Sequence, residues 1–245
     1  KVTTKAIKIY DDYIEHLNQQ KSQRYVGKEE WFHSSSAGLC ARKHYYSAVE
    51  KHPQSDKDAD TMRLFRLGDV IHTDIQDAVE WYAKKTGARI FIEKELYIKE
   101  LNVRGFIDLV LVDDGELIDI KSCNDFKWKT IFGKKYYDPK SVNNYMLQTA
   151  TYAYWYNGYA HSNDLPTVDK MKLLFYNKNT SKMQELEVPN HKIEEAFMYW
   201  NRVLDTTKAG LPDIELGFAP AMKWECNVKY CSYYDVCGGG INGKG

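Results

Sequence analysis

The stretch Gly115-Glu-Leu-Ile-Asp-Ile-Lys-Ser-Cys123 reads as a buried β-strand whose apolar run is broken by a carboxylate and an ammonium, Asp119 and Lys121. Alternate residues of a strand share a face, so Leu117, Asp119 and Lys121 point one way while Ile118 and Ile120 point the other. The run just before it, Arg104-Gly-Phe-Ile-Asp-Leu-Val-Leu-Val112, reads as a second strand carrying Asp108. Between them Asp114-Gly115 is a two-residue hairpin signal. A loop of that length sets Asp113 opposite Glu116 and, counting back, Asp108 opposite Lys121, with Asp119 one cross-strand step away on the same face. A three-residue loop would put Ile120 opposite Asp108, so register decides whether the charges meet, although a bulge could restore the meeting. Two adjacent carboxylates repel unless a cation lies between them, and oxygen donors suit Mg²⁺ or Mn²⁺. Lys121, beside such an ion and partly desolvated, would have its pKa pushed down and would orient or activate a water for attack on a phosphate. The plainer reading is a buried Asp-Lys pair that closes the end of a sheet.

Outward from this pair, periodicity gives the remaining elements. A first helix carries Ile7, Tyr10, Ile14 and Leu17, and Ser34 to Ser36 supply N-cap oxygens for a helix over about residues 37–50, with Cys40 in its first turn. After the polar linker HPQSDKDAD, a long helix has Leu64, Leu67, Ile71, Ile75, Ala78 and Tyr82 as its apolar seam, Lys84 and Lys85 in its last turn and Gly87 as its stop. Strands follow over about 89–98, 103–112 and 116–122, then a helix over 141–159, strands over 171–177 and 183–188, and a helix over 192–207. This order predicts an α/β fold with a mixed central sheet flanked by helices. His72 lies on the flank of the long helix's seam, where a histidine by itself is more often a satisfied core residue than a ligand. Gln148 and Tyr152, four residues apart, share a helical face that by itself reads as an ordinary polar stripe.

At 245 residues one large domain with appendages is expected. Lys plus Arg and Asp plus Glu balance at 34 each, so no whole-molecule field draws the chain to nucleic acid or an anionic membrane, and any polyanion site must be a local patch. The first residues lack the apolar core of a signal peptide, which points to a cytoplasmic address. Ser141 to Asn163 lacks Asp, Glu, Lys and Arg, but its Asn, Gln, Thr and Tyr side chains are costly in hydrocarbon, so no membrane partner is expected. Five cysteines in an intracellular chain argue for metal or cluster ligation over disulfides.

Four motifs in order, LGDVIH (67–72), RGFID (104–108), DIK (119–121) and QTATY (148–152), resemble the RecB-like branch of the PD-(D/E)XK nucleases. The front segment SSSAGLCARKHYY and the three cysteines at the back are similar to its iron-sulfur subgroup, which includes CRISPR-associated exonucleases, AddB-type nucleases and phage relatives. The resemblance covers about residues 34–237. It implies a restriction-endonuclease-like core over about 60–190, with N- and C-terminal segments (about 34–50 and 211–237) joined by a cysteine-ligated cluster. Residues 1–237 would form a single nuclease domain, and 238–245 a flexible tail. It further implies that His72, Asp108, Asp119 and the Ile120 carbonyl hold the divalent ion, that Lys121, Gln148 and Tyr152 complete the catalytic set, and that Cys40, Cys226, Cys231 and Cys237 hold one cluster, usually 4Fe-4S, with Cys123 spare. From the residues alone four thiolates hold zinc or an iron-sulfur cluster equally well, but the chain has no Cys-x-x-Cys knuckle of the kind structural zinc usually uses. The chain departs from the subgroup in the four residues between Cys226 and Cys231, where two are usual, and in an Asp at 119 where Glu is frequent.

Between Lys121 and Lys140 six lysines face two aspartates, interleaved with Phe126, Trp128, Phe132, Tyr136 and Tyr137. Cations for phosphates and rings for unstacked bases suit a single-strand groove, with Lys127, Trp128, Lys129, Lys134 and Lys135 as its candidate contacts and Arg42 as a further phosphate contact. A loop whose rings pack inward is the equal alternative. The expected activity is a metal-dependent DNA exonuclease on single strands or duplex ends, working beside a helicase or recombination protein. A site-specific endonuclease and a non-catalytic DNA-binding subunit are the competing readings.

Overall fold

A computed structural model describes residues 4–24, 26–54, 56–214, 217–219 and 221–242. The chain order is α1 (Lys5–Gln23), β1 (Phe32–His33), α2 (Ala41–His44), α3 (Ala59–Thr86), β2 (Ile90–Ile98), β3 (Val103–Leu111), β4 (Glu116–Cys123), α4 (Asp125–Phe132), α5 (Asn143–Ser162), β5 (Lys170–Asn177), β6 (Met183–Val188) and α6 (Lys192–Lys208). The six strands form one mixed sheet ordered β1-β3-β4-β5-β6, with β2 on the other edge of β3. β2, β3 and β4 are antiparallel neighbours, β4 and β5 run parallel, and β5 and β6 form a hairpin. The α/β class and the order of the main elements are as the sequence predicts.

β4 faces two cores because its residues alternate. Ile118 and Ile120 pack with Leu109 against Ile75 and Val79 of α3. Leu117, with Leu173, Phe175 and Val110, packs under Leu147, Ala150 and Tyr156 of α5, which α6 covers with Trp200 and Val203. The Trp200 indole donates to the Thr151 hydroxyl at 2.8 Å, so the ring is buried with its polar edge satisfied.

The long helix α3 starts where the Asp58 carboxylate accepts from the Thr61 amide at 2.7 Å, and ends at Gly87 in the left-handed region at φ 78°. Its expected seam is only partly used. Leu64, Leu67 and Tyr82 are exposed, and the flank turned to the sheet carries His72, Ile75, Gln76 and Val79. α1 lies on α3 through Lys21–Asp69 and Arg63–Asp11 ion pairs.

The front of the chain departs from its predicted helix over 37–50. Ser34 to Ser36 form a 3-10 turn of their own instead of capping, Cys40 precedes α2 instead of sitting within a first turn, and Tyr45–Val49 is wound as a π-helix. A tertiary contact sets this boundary, since the Ala41 amide donates to the Ala219 carbonyl. The 125–132 segment, read as part of a groove, is helical because the Asn124 side chain accepts from the Lys127 amide at 2.8 Å.

The β3–β4 register also differs from the expected one. Leu111 faces Glu116 and Leu109 faces Ile118, so the connection is a four-residue turn, Val112 to Gly115, in place of the two-residue Asp-Gly loop. Val112 is buried, and Asp113 is taken up by Arg89, whose amide and Nε donate to its two carboxylate oxygens at 2.8 and 2.7 Å. These two contacts pull both residues out of the ladder. The slip is two residues, an even number, so every side chain keeps its face.

Candidate active site

The ladder between β3 and β4 ends at the Leu109–Ile118 pair. Beyond it the Asp108 carboxylate replaces the backbone as acceptor, taking the Ile120 amide on Oδ2 at 2.7 Å. The observed register, extended by one pair, sets Asp108 opposite Asp119 and not opposite Lys121. The two carboxylates therefore meet, as the sequence reading required, through a different pairing.

Asp119 has 0% exposure, with Oδ2 2.7 Å from the Lys121 ammonium and Oδ1 without a hydrogen-bond partner among the described residues. Burial pushes its pKa up to about 7, against the pull of Lys121, and neighbouring Asp108 adds to the rise. Asp108 is raised to about 6, again chiefly by burial, with Lys121 and the Ile120 amide opposing. Burial works against the charge of Lys121, but Asp119 and then Asp108 favour it more, so its pKa is raised rather than lowered and it stays an ammonium. His72 comes in from α3 where β3 and β4 part, its Nδ1 3.7 Å from Asp108 Oδ2. Burial and then Lys121 lower its pKa, which favours the neutral ring that binds metals.

From the other face α5 supplies a relay. Lys121 Nζ donates to Gln148 Oε1 at 3.1 Å, Gln148 Nε2 donates to the Tyr152 hydroxyl at 2.6 Å, and the Ser34 hydroxyl donates to the same oxygen at 3.3 Å. Sequence reasoning missed Ser34 and also Tyr145, whose ring lies 5.2 Å from Lys121 Nζ and 5.5 Å from Lys127 Nζ. A signal for Ser34 existed in Gly105 of the RGFID motif. A Cβ there would collide with Ser34 Oγ and press on the Tyr152 ring, so glycine lets the serine turn approach β3.

Cys40, Cys226, Cys231 and Cys237 line one cavity together with Arg42 and Lys43, while Cys123 lies apart at the end of β4. Burial pushes the Cys40 thiol up to about 11. The Ile241 amide donates to Cys226 Sγ and Arg42 donates to Cys237 Sγ, each at 3.4 Å, so residues 238–242 of the expected flexible tail close over the cysteines; residues 243–245 of that tail lie outside the described residues. Among the described residues no three His, Cys, Asp or Glu side chains are already gathered as a metal-holding group.

The candidate nucleic-acid contacts divide. Lys134 and Lys135 are exposed, as are Phe126, Tyr136 and Tyr137. Lys127 turns inward to the Ser141 carbonyl, Trp128 packs on Phe132 at 4.7 Å, Lys129 pairs with Asp125 at 2.6 Å, and Arg42 is engaged by the Pro212 carbonyl at 2.8 Å and by Cys237. No helix of the described residues is long and apolar enough to cross a membrane.

A sequence model of the PD-(D/E)XK nuclease superfamily matches residues 77–238, more than half of the chain. The chain belongs to that superfamily. The match takes in Asp108, Asp119, Lys121, Gln148 and Tyr152 and starts beyond His72. No curated protein matches the sequence. Among solved structures, the chain is similar to that of SSO0001, at 15% identity and a TM-score of 0.53, covering 94% of this chain and 96% of the other. It is also similar to an alkaline exonuclease (LHK-Exo) from Laribacter hongkongensis, at 14% identity and a TM-score of 0.50, covering 78% and 94%. At these identities the likeness is one of fold, and the superfamily's mixed sheet with flanking helices is the one found here.

Proposed function

We propose that this PD-(D/E)XK protein is a divalent-metal-dependent deoxyribonuclease working as an exonuclease on single-stranded DNA or duplex ends. The observation that carries the reading is Asp119, wholly buried beside a second carboxylate with one oxygen lacking any partner among the described residues. Two carboxylates and an orphaned oxygen in a site this dry are costly unless a cation is bound.

His72, Asp108, Asp119 and the Ile120 carbonyl would hold one Mg²⁺ or Mn²⁺, which when bound polarises the scissile phosphate and offsets the charge that develops on it. The Ile120 amide points at Asp108, and in a strand the carbonyl of the same residue points to the same side. Lys121, kept as an ammonium by its carboxylates and aimed by Gln148, positions the attacking water and stabilises the phosphate. Tyr152 and Ser34 fix Gln148 in turn. Imidazole suits Mn²⁺ better than Mg²⁺, so rates are expected to be higher with manganese.

The four thiols around one cavity, with the Arg42 guanidinium and the Ile241 amide facing sulfur, fit an iron-sulfur cluster in their donor chemistry. Its role is structural, pinning Cys40 to the C-terminal segment, and zinc is the competing occupant. The exposed Lys134, Lys135, Tyr136 and Tyr137 beyond β4 suit a displaced single strand of the sort a helicase or recombination protein supplies.

The experiment is cleavage of end-labelled single-stranded, duplex and circular DNA with Mn²⁺ or Mg²⁺, comparing the parent with Lys121→Ala and Asp108→Ala. The proposal expects metal-dependent loss of linear DNA that both substitutions abolish. Cutting of circles would make the protein an endonuclease, and binding without metal-dependent cutting would make it a DNA-binding subunit.

A further inference from the structure

β2 is interrupted beside the site. Ile92 pairs with Leu109 and Lys94 with Ile107, yet the Glu93–Asp108 pair between them is missing from the ladder, and Glu93 holds a φ of +49°. A long side chain rarely adopts that left-handed conformation, and such strain gathers at functional sites.

What holds the strained residue in place is Gln76, on α3 one turn beyond His72 and so on the same flank of that helix. Gln76 is 7% exposed. Its Nε2 donates both to Glu93 Oε1, at 3.0 Å, and to the Asp108 carbonyl, at 3.1 Å. One buried amide thus ties the Glu93 carboxylate to the main chain of Asp108. Glu93 itself is exposed, and its charge acts on both Asp108 and His72. A third carboxylate brought up to Asp108 and Asp119, which have one ammonium between them in Lys121, adds repulsion unless a further cation collects there, and the partnerless Oδ1 of Asp119 is the independent sign of one.

We propose that Glu93, held by Gln76, is a further acidic residue of the divalent-cation centre, contributing a carboxylate on the solvent side of Asp108. The inference rests on the nuclease reading above. Glu93 belongs to none of the four motifs that suggested the site, and only the folded backbone brings it there. Losing an outer group of this kind typically costs about 10–100-fold in metal affinity or activity.

The test is Mn²⁺ binding, read by the electron paramagnetic resonance signal of free Mn²⁺ with no DNA present, for the parent, Glu93→Gln, Glu93→Gly and Asp108→Asn. Glu93→Gln keeps the acceptor for Gln76 and removes the charge; Glu93→Gly suits the left-handed backbone and removes the side chain. Both are expected to weaken Mn²⁺ binding by about tenfold, and nuclease activity to need correspondingly more Mn²⁺. Parental Mn²⁺ affinity in either variant overturns the role of Glu93. A parent that binds no Mn²⁺, or an Asp108→Asn variant that binds as well as the parent, overturns the nuclease centre itself.

Discussion

Replacing Lys121 by alanine removes the cation that two buried carboxylates share, and the loss of stability should depend on pH in a direction fixed by the site. Lys121 Nζ lies 2.7 Å from Asp119 Oδ2, with side-chain exposures of 17% and 0%. Removing one partner of a buried pair costs about 3–5 kcal/mol when the other stays charged. Asp119 has another course, which is to hold a proton. Its pKa is already about 7 with the lysine in place, burial being the larger cause, and rises further without it. A carboxyl raised above its unfolded value favours the folded state less as pH rises, because the unfolded chain sheds the proton first and the folded chain must follow or stay protonated. In the parent this decline levels off above pH 7, where Asp119 ionises in the folded state. In Lys121→Ala it continues. The deficit of the variant should therefore widen between pH 7 and 8 by about 1 kcal/mol, one pH unit of one proton less the part the half-protonated parent still loses. For a chain of this length that is about 2–4 °C in Tm. Asp108, held near 6 and pulled down by the same lysine, acts in the same sense. Thermal unfolding by circular dichroism from pH 6 to 8, in chelator, measures the widening. A deficit that is constant across that range, or that shrinks with rising pH, refutes the coupling of Lys121 to the buried carboxylates.

Other consequences can be tested separately. Cys40→Ser or Cys237→Ser should abolish iron, acid-labile sulfide and visible absorbance in anaerobically purified protein, while Cys123→Ser should leave all three unchanged; stoichiometric zinc in the parent would replace the cluster. Ala at Lys134, Lys135, Tyr136 and Tyr137 together should weaken single-strand binding by at least tenfold, since stacking alone is worth about 1–3 kcal/mol per base, and should flatten its salt dependence. Trp128→Ala, which empties a place against Phe132, should lower Tm more than it lowers DNA affinity. His44 is buried, and burial pushes its pKa down to about 3, so the unfolded chain takes up the proton first; its contribution is intact above about pH 6.5 and declines as pH falls toward 3, by about 1.4 kcal/mol per unit at most. Urea unfolding of His44→Gln should show a smaller loss between pH 6 and 4 than the parent, and an equal loss would refute the assignment.

What was legible in the sequence, and what was not, follows from the range of the interactions involved. The strands from Ile90 to Val188 and the helices α3, α5 and α6 follow from periodicity and local punctuation, such as Asp58 before α3 and Gly87 after it. The cap of α4 was also local, in Asn124, but the lysines and rings that follow drew the eye to a groove. The turn after β3 failed for the opposite reason. Asp114-Gly115 is a good hairpin signal, and it lost to a buried valine and an arginine 24 positions upstream of its aspartate. The site survived that error because a shift of two residues preserves sidedness, so the sequence reading identified the right face while mistaking the facing residue. A slip of one would have turned Asp119 and Lys121 onto the face that holds Ile118 and Ile120, against α3. Register parity, more than register itself, is what the alternation of apolar residues in β4 secures.

The same distinction separates the visible site residues from those that only coordinates bring in. Asp108, Asp119 and Lys121 stand out because charge interrupts strands that must be apolar on both faces, and burial then does the chemistry, raising both carboxylates and leaving Asp119 Oδ1 without a partner. Ser34, Tyr145 and Glu93 interrupt nothing in their own segments. Ser34 is betrayed only by the glycine across from it, and Tyr145 is one ring among many. Glu93 sits in an alternating strand where an exposed carboxylate is ordinary, and becomes unusual only through a backbone angle and a missing ladder pair. Residues that a fold uses through strain carry no compositional mark. The strain itself, opposite an aspartate and fastened by a buried glutamine, is therefore the stronger reason to test Glu93 before any residue of the lysine-rich segment.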